Sequence, residues 1–177
     1  MRLNLTRLPM VFDVESFAHE DARGSFRRSW CADSFARARI DFAPRQASLS
    51  TNNAAHTLRG MHWQAGAHAE QKLVRCIAGA VWDVALDLRP DSPTYLRWHA
   101  EELSAEKGNA LFLPRGVAHG FLSLTPGAVV EYLIDTPHAP QAARGARWND
   151  PAFAIIWPHP PAVISDRDRD WPDYADA

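Results

Sequence analysis

The stretch AVWDVALDLR, residues 80–89, decides the fold class because its side chains alternate in character along the chain. Successive side chains of an extended segment point to opposite faces, so large apolar residues at every second position share one face. That face carries Trp82, Val84, Leu86 and Leu88. The opposite face carries Val81, Asp83, Ala85, Asp87 and Arg89. The alternation predicts a β-strand.

Four further segments have strand character, and turn residues separate them. They are KLVRCI (72–77), NALFLP (109–114), GFLSL (120–124) and AVVEYLI (128–134). Many short strands at this spacing are typical of an antiparallel sandwich or barrel, so we predict an all-β fold. Only ADSFARARI (32–40) has helical character. The Pro- and Asp-rich chain from Trp148 onward is predicted to wrap the barrel as loops and short turns.

The totals favour one domain without a nucleic-acid partner. The chain has 177 residues, 46% of them hydrophobic, which predicts a single domain over residues 1–177. A formal net charge of -2 excludes the broad cationic field that nucleic acid requires. Cys31 and Cys76 lie outside any C-x-x-C pattern, as is typical of free thiols in a reducing compartment. We expect no signal peptide and no membrane span, and therefore a cytoplasmic protein.

The segment GNALFLPRGVAHGF, residues 108–121, has the spacing of the second cupin motif. Gly108 is followed after five residues by Pro114, after one more by Gly116 and after two more by His119. The pattern predicts a strand, a tight turn and a second strand whose first inward side chain is His119. A jelly-roll barrel places such a side chain in its mouth. We therefore predict a cupin-type jelly-roll barrel with short peripheral helices.

The ligand pattern of the first cupin motif is incomplete. That motif supplies two metal-binding histidines as H-x-H, whereas this chain has His62-Trp63-Gln64 in that place. Zinc or iron needs three or four N, O or S ligands at about 2.0–2.3 Å. Such a set could be built from His62, His119, His68 and Glu70. Because the spacing is not kept, we predict a cupin with no metal and no cofactor.

The predicted barrel mouth combines groups that suit acid–base chemistry on an anionic ligand. We interpret Arg59, His62 and Lys72 as lying in adjacent strands. Tyr132 shares a strand face with Val130 and Ile134, and its hydroxyl would need a partner if buried.

Strict alternation in LRGMHWQ, residues 58–64, sets Arg59 and His62 on opposite faces of a strand. Both therefore cannot point into one cavity of an ideal strand. A bulge or bend at Gly60 would resolve the conflict. Alternatively, Arg59 reaches the pocket of a partner subunit.

Segments along nearly the whole chain resemble the dTDP-4-dehydrorhamnose 3,5-epimerases and their relatives that act on nucleotide-linked 4-keto-6-deoxy sugars. The segments are DARGSF (21–26), LRGMHWQ (58–64), QKLVRCIAGAVWDVALDLR (71–89), SPTYLRW (92–98), LSAE (103–106), LPRGVAHGFLSL (113–124), EYLID (131–135), WNDP (148–151), IIWP (155–158) and ISDRD (164–168). The resemblance implies a homodimeric isomerase. Its substrate would be a nucleotide-diphosphate sugar, epimerised at carbon 3, carbon 5 or both through an enolate.

The resemblance also implies the catalytic residues. His62 is similar to the family's base, and Asp168 would pair with its ring and stabilise the imidazolium. Tyr132 looks like the acid that returns a proton from the opposite face of the sugar. Lys72 resembles the cation that stabilises the enolate oxygen, with His119 close by.

The substrate contacts implied by the resemblance include three arginines, Arg23, Arg59 and Arg167. A planar guanidinium suits them because it donates two hydrogen bonds to a phosphate at once. Gln46 matches the family's pattern among the residues that hold the nucleotide and substrate.

Four positions depart from the family's usual pattern. Ser48 stands where asparagine is usual, His138 where an aromatic residue is usual, and Arg28 and Ala143 where glutamate is usual. Ser48 and His138 are nevertheless predicted to line the substrate site. The replacements leave open which nucleotide and sugar are used and whether one or two carbons are epimerised.

Three other functions stay open on the residues. A 3,4-ketoisomerase of similar sugars tends to carry paired histidines as H-x-H, which His62-Trp63-Gln64 argues against. A metal-dependent cupin oxygenase would hold iron or zinc. A non-catalytic sugar-binding cupin would need the pocket but neither the His62–Asp168 pair nor Tyr132.

Overall fold

The computed structural model describes residues 1–174, which form strands and two short helices. The strands are β1 Arg2–Leu5, β2 Phe12–Glu15, β3 Ala18–Asp21, β4 Gly24–Arg27, β5 Gln46–Asn52, β6 Thr57–Gln64, β7 Lys72–Ala78, β8 Ala80–Asp87, β9 Trp98–Ser104, β10 Ala110–Leu113, β11 Val117–Ser123, β12 Ala128–Ile134, β13 Ala143–Gly145 and β14 Val163–Ile164. The helices are α1 Ala32–Arg37 and α2 Asp166–Arg169, and 3₁₀ turns lie at Gly66–His68 and Pro140–Ala142. Neither helix in this described part has the length and apolar character to span a bilayer.

Two sheets face each other, and the chain passes back and forth between them. One sheet has the order β1-β2-β10-β7-β12-β5, and the other has β13-β6-β11-β8-β9 with β14 paired to β6. Within them, β5-β12-β7-β10 and β6-β11-β8-β9 are the two four-stranded layers of a jelly roll. The predicted cupin-type jelly roll with short peripheral helices is therefore confirmed. β3 and β4 form a separate hairpin.

The inner core lies between the sheets and follows the alternation read from the sequence. On β8, Val81 and Ala85 belong to this core, whereas Val84 and Leu86 face a second cluster on the outside of the sheet. Fully burying an apolar side chain of this size stabilises the fold by about 1.5–3 kcal/mol. The inner core comprises Leu8, Val11, Val74, Cys76, Val81, Ala85, Leu103, Leu111, Leu113, Val117, Phe121, Ala128 and Val130.

Both outer faces of the sandwich are covered as well. On one side, Phe35 of α1 packs its ring 5.3 Å from that of Phe112 on β10. On the other side, the C-terminal chain lays Phe153 and Ile155 over Met61 and neighbouring residues. The predicted wrapping by the C-terminal segment is thus present, and it ends by bringing α2 against β6.

Several details differ from the sequence predictions. Arg59 and His62 do not lie in a strand adjacent to that of Lys72, because β6 and β7 belong to different sheets. The residues therefore face each other across the sandwich. β11 starts at Val117, and this residue, rather than His119, is its first inward side chain. α1 stops at Arg37, and Arg39 beyond it has a positive φ of 59°, which a right-handed helix does not allow.

Candidate active site

One end of the sandwich opens into a cavity of about 330 Å³ between the two sheets. β6 and β11 line it from one sheet, and β5, β7 and β12 line it from the other. Eight of the eleven predicted site residues are among its lining, and Arg23, Arg59 and Asp168 are not. The lining residues are Gln46, Ser48, His62, Trp63, Gln64, Glu70, Lys72, His119, Tyr132, Ile134, His138, Ala143, Arg144 and Arg167.

His62 and Asp168 form a pair at the cavity wall. His62 Nε2 lies 2.6 Å from Asp168 Oδ1, and the backbone N–H of Gly60 donates to Asp168 Oδ2 at 3.2 Å. Ser165 caps α2 by accepting from the Asp168 backbone N–H at 3.1 Å, which fixes the start of the helix that carries Asp168. Burial by itself would raise the pKa of Asp168, but the hydrogen bonds from His62 and Gly60 outweigh it and lower that pKa.

A β-bulge at Gly60 turns His62 into the cavity. Opposite β11, His62 pairs with His119 and Arg59 pairs with Phe121, so β6 holds one extra residue between the two pairs. Gly60 has a φ of 129°, and its backbone packs directly on Gly120. The bulge is one of the two solutions that the sequence left open.

Arg59 lies near the cavity without lining it. Its Nε donates to Asn52 Oδ1 at 2.9 Å and its Nη2 to the Thr51 carbonyl at 3.2 Å, both on β5 of the opposite sheet. Its positive charge still acts to lower the pKa of Tyr132. Arg59 therefore influences the site through its charge.

Tyr132 faces His62 from the opposite sheet. Its ring lies edge-on to that of His119, with centroids 5.7 Å apart. Burial, and then the negative charge of Asp83, raise the pKa of the Tyr132 phenol well above its ordinary value. The hydroxyl therefore carries its proton at neutral pH.

The ring of His119 contacts a buried carboxylate, that of Asp83. Its Nε2 lies 2.8 Å from Asp83 Oδ2, and the side chains are 5% and 0% exposed. Asp83 therefore orients the ring of His119 and does not contact Lys72. Lys72 instead has Glu70 as its partner, with Nζ 2.6 Å from Glu70 Oε1.

The outer part of the cavity carries amide, imidazole and guanidinium groups. The side-chain oxygen of Gln46 accepts from the His138 backbone N–H at 3.0 Å. Arg167 lies over the Trp171 ring at 5.2 Å, and Arg144 donates to the Gln141 and Ala143 carbonyls. Neither arginine forms a salt bridge within residues 1–174, so both can bind an anionic ligand.

Arg23 does not line this cavity and lies at the turn of the β3–β4 hairpin. Its side chain is 90% exposed, and its Nη2 lies 2.5 Å from Asp21 Oδ2. The structure therefore does not bring Arg23 to the cavity of its own chain.

The sequence did not assign some of the lining residues to a substrate site. Gln64 could have been found, because it shares the strand face of His62 two residues away. Glu70 was considered only as a metal ligand. Arg144 and Trp63 carried no such signal. Arg144 lies on a strand too short to show periodicity, and alternation assigns Trp63 to the strand face opposite that of His62.

The cavity residues do not form a metal-ligand cluster. Within residues 1–174, Asp13, His99 and Glu101 form the single group of three His, Cys, Asp or Glu with ligand atoms within 4.8 Å of one another. That group lies outside the cavity. The alternative set His62, His119, His68 and Glu70 is thus not assembled, and His68 is not in the cavity lining.

Comparison with known proteins finds relatives over the whole chain. A family model described as dTDP-4-dehydrorhamnose 3,5-epimerase matches residues 5–176, which include all residues that line the cavity. The chain is 38% identical over 181 residues to the dTDP-4-dehydrorhamnose 3,5-epimerase of Pseudomonas aeruginosa, covering 100% of this chain and 98% of that protein.

Two solved structures are similar in fold over almost the full length. The dTDP-4-dehydrorhamnose 3,5-epimerase from Bacillus anthracis, with TDP and PPi bound, has a TM-score of 0.94 and 34% identity, covering 98% of this chain and 99% of that chain. ChmJ, a 3'-monoepimerase from Streptomyces bikiniensis in complex with dTDP-quinovose, has a TM-score of 0.89 and 31% identity, covering 98% and 87%.

Proposed function

This chain belongs to the dTDP-4-dehydrorhamnose 3,5-epimerase family, and we propose that it epimerises a dTDP-linked 4-keto-6-deoxyhexose at carbon 3, carbon 5 or both. It is an isomerase of deoxysugar biosynthesis. The keto group at carbon 4 makes the neighbouring C–H groups acidic, because loss of either proton gives an enolate. A base on one face of the sugar and an acid on the other then invert the carbon.

A single observation carries the proposed mechanism: His62, which is paired with Asp168 of α2, and Tyr132 lie on facing sheets across one cavity. A sugar ring between the sheets would meet imidazole on one face and phenol on the other. Asp168 engages Nε2 of His62, so Nδ1 is the nitrogen that takes the proton from carbon. Asp168 then stabilises the imidazolium that forms.

Tyr132 supplies the proton on the opposite face. Its raised pKa means that the phenol is protonated at neutral pH and so holds the proton that it donates to the enolate carbon. Positioned acid–base groups of this kind contribute about 10²–10⁴-fold to the rate. Lys72 and His119, both in the cavity lining, stabilise the negative charge on the enolate oxygen.

The nucleotide diphosphate lies toward the outer cavity. Arg167, Gln46, Ser48 and His138 are the contacts that we propose from this chain, with Arg144 as an addition. A volume of about 330 Å³ is at the lower end of the range for ligand sites, which suits a sugar with the nucleotide extending outward.

A homodimer would complete the site. The β3–β4 hairpin pairs with neither main sheet and exposes Phe26 at 72% beside Arg23. We propose that this hairpin packs on a second copy of the chain and delivers Arg23 to the phosphates of the partner's substrate. The dimer is isologous, so each subunit both gives and receives an arginine.

The proposal also includes one domain over residues 1–177 and a cytoplasmic location. The family match over residues 5–176 supports a single unit. Cys31 and Cys76 are both free, which agrees with a reducing compartment.

Within this proposal, epimerisation at carbon 3 alone is the alternative to epimerisation at both carbons, because a 3'-monoepimerase is among the similar structures. Deuterium uptake separates the two outcomes. The protein is incubated in heavy water with dTDP-, CDP-, UDP- and GDP-linked 4-keto-6-deoxy sugars, and NMR reports which carbons exchange. Exchange at carbons 3 and 5 of the dTDP sugar indicates the double epimerase, and exchange at carbon 3 alone indicates the mono-epimerase. Exchange with none of the sugars would contradict both and favour a binding cupin.

A further inference from the structure

Lys72 is held at the cavity wall by a carboxylate that has no assigned part in the reaction. Glu70 lies between the Gly66–His68 turn and β7, and its Oε1 is 2.6 Å from Lys72 Nζ. The two side chains are 10% and 11% exposed, so the pair is largely shielded from water. At such depth an ion pair keeps its geometry much better than a surface pair does.

Gln64 fixes the other oxygen of Glu70. Its Nε2 donates to Glu70 Oε2 at 2.8 Å and also contacts the His68 carbonyl at 3.1 Å. Its Oε1 accepts from the Ala139 N–H at 2.6 Å. The amide cannot be reversed without setting its oxygen against these acceptors, so the orientation of Gln64, and with it that of Glu70, is determined.

The arrangement leaves Lys72 free to act on a substrate. An ammonium group has three N–H donors, and the contact with Glu70 uses one of them. Before the reaction, the Glu70 carboxylate offsets part of the positive charge of Lys72. During the reaction, negative charge develops on the enolate oxygen, and the attraction between this oxygen and the Lys72 ammonium group therefore increases.

We propose that Glu70 is a positioning residue for Lys72: held by Gln64, its carboxylate sets the place from which the ammonium meets the enolate oxygen. The inference rests on the proposed function, because it requires an enolate in this cavity. The same network reaches the His138 segment, since Gln64 binds Ala139 and the His138 N–H donates to Gln46. Substrate contacts on that segment are thereby linked to the lysine.

A double-mutant cycle tests whether Glu70 acts through Lys72. Glu70→Ala, Lys72→Ala and the double variant are compared with wild type for kcat and KM on the dTDP sugar. A displaced catalytic group costs up to about 10²-fold, so we expect Glu70→Ala to lower kcat by about 10- to 100-fold while KM changes less than about threefold. In the Lys72→Ala background the same substitution should have no further effect. Losses that add in the double variant, or an unchanged kcat in Glu70→Ala, overturn the proposal.

Two further variants keep the result interpretable. Glu102→Ala removes a carboxylate from an exposed ion pair, with Lys107 Nζ at 3.0 Å, and should retain wild-type kcat and KM. If Glu70→Ala does not fold, the cycle is measured with Glu70→Gln, which keeps the volume and one oxygen for Lys72. Wild-type protein without deuterium exchange at carbon 3 or 5 contradicts the proposed function. An active wild type with an unchanged Glu70 variant contradicts the positioning role alone.

Discussion

The environments of Asp168 and Tyr132 shift their pKa values in opposite directions. Hydrogen bonds from His62 and Gly60 overcome the effect of burial and lower the pKa of Asp168. Burial and the Asp83 carboxylate raise the pKa of Tyr132, and the Arg59 charge opposes this only in part. Asp168 is therefore a carboxylate beside the base, and Tyr132 is a neutral donor. Epimerisation requires this combination, because one face of the sugar meets a base and the opposite face meets a proton donor.

Replacing Tyr132 should separate exchange from inversion. In Tyr132→Phe, His62 can still remove a proton and return a deuteron from solvent to the same face. We therefore expect deuterium uptake with retained configuration, while epimerisation falls by about 10²–10⁴-fold. His62→Ala should lose both deuterium uptake and epimerisation, and NMR in heavy water measures these two quantities separately. Inversion at the wild-type rate in Tyr132→Phe would exclude the phenol as the acid.

At the scale of secondary-structure elements, the β6 bulge decides which side chains enter the cavity. A Cβ at Gly60 would lie 2.5 Å from Gly120 Cα and 2.9 Å from the His119 carbonyl, both of which are backbone atoms. Without the extra residue, Arg59 and His62 would lie on opposite faces of β6. The bulge therefore requires glycine at position 60.

Gly60→Ala should destabilise the protein by about 2–4 kcal/mol, since a clash with backbone adds to the strain of a positive φ. Gly24→Ala is the matched control. Gly24 has a φ of 128°, close to the 129° of Gly60, but no atom lies within 4 Å of the place that an alanine methyl group would occupy there. It should cost only about 1 kcal/mol. Urea unfolding measures both, and equal losses would show that contact with Gly120 is unimportant.

The end of β8 has a buried carboxylate that makes stability depend on pH. Asp87 is 0% exposed and accepts hydrogen bonds from Arg89, Ser92 and Thr94. Burial by itself would raise its pKa, but these donors lower the pKa to about 2. A lowered folded-state pKa means that the stabilisation is present above the unfolded pKa of about 3.9 and is lost as pH falls toward 2.

Asp87→Asn should remove that part of the acid sensitivity. The shift corresponds to about 2 kcal/mol, so the wild type should lose about this much more stability than the variant between pH 5 and pH 2. Urea unfolding across this range gives the comparison. If both proteins show the same pH slope, the Asp87 network does not control it.

At the scale of the whole molecule, the proposed homodimer, in which Arg23 serves the partner's cavity, predicts complementation between subunits. Arg23→Ala and His62→Ala are each expected to be nearly inactive. If Arg23 serves the partner's cavity, a mixed dimer has one cavity with both defects and one with neither. Random reassociation of equal amounts should then restore about a quarter of wild-type activity. No recovery, with mixed dimers verified by tagged chains, would place Arg23 in its own chain's site.

The sequence by itself determined the strand pattern and most of the cavity. Alternation on β8 predicted both of its faces, and the segments around His62, His119 and Tyr132 indicated the cupin site, because these signals lie within a few neighbouring residues. Tertiary structure alone decided that β6 and β7 face each other from different sheets, and that Glu70 and Gln64 hold Lys72. The contact between His62 and Asp168, which are 106 residues apart, was expected from the family resemblance, because no local pattern links the two residues. Periodicity reports which face of a strand a side chain occupies, whereas contacts between distant segments depend on how the sheets stack and where the chain crosses between them.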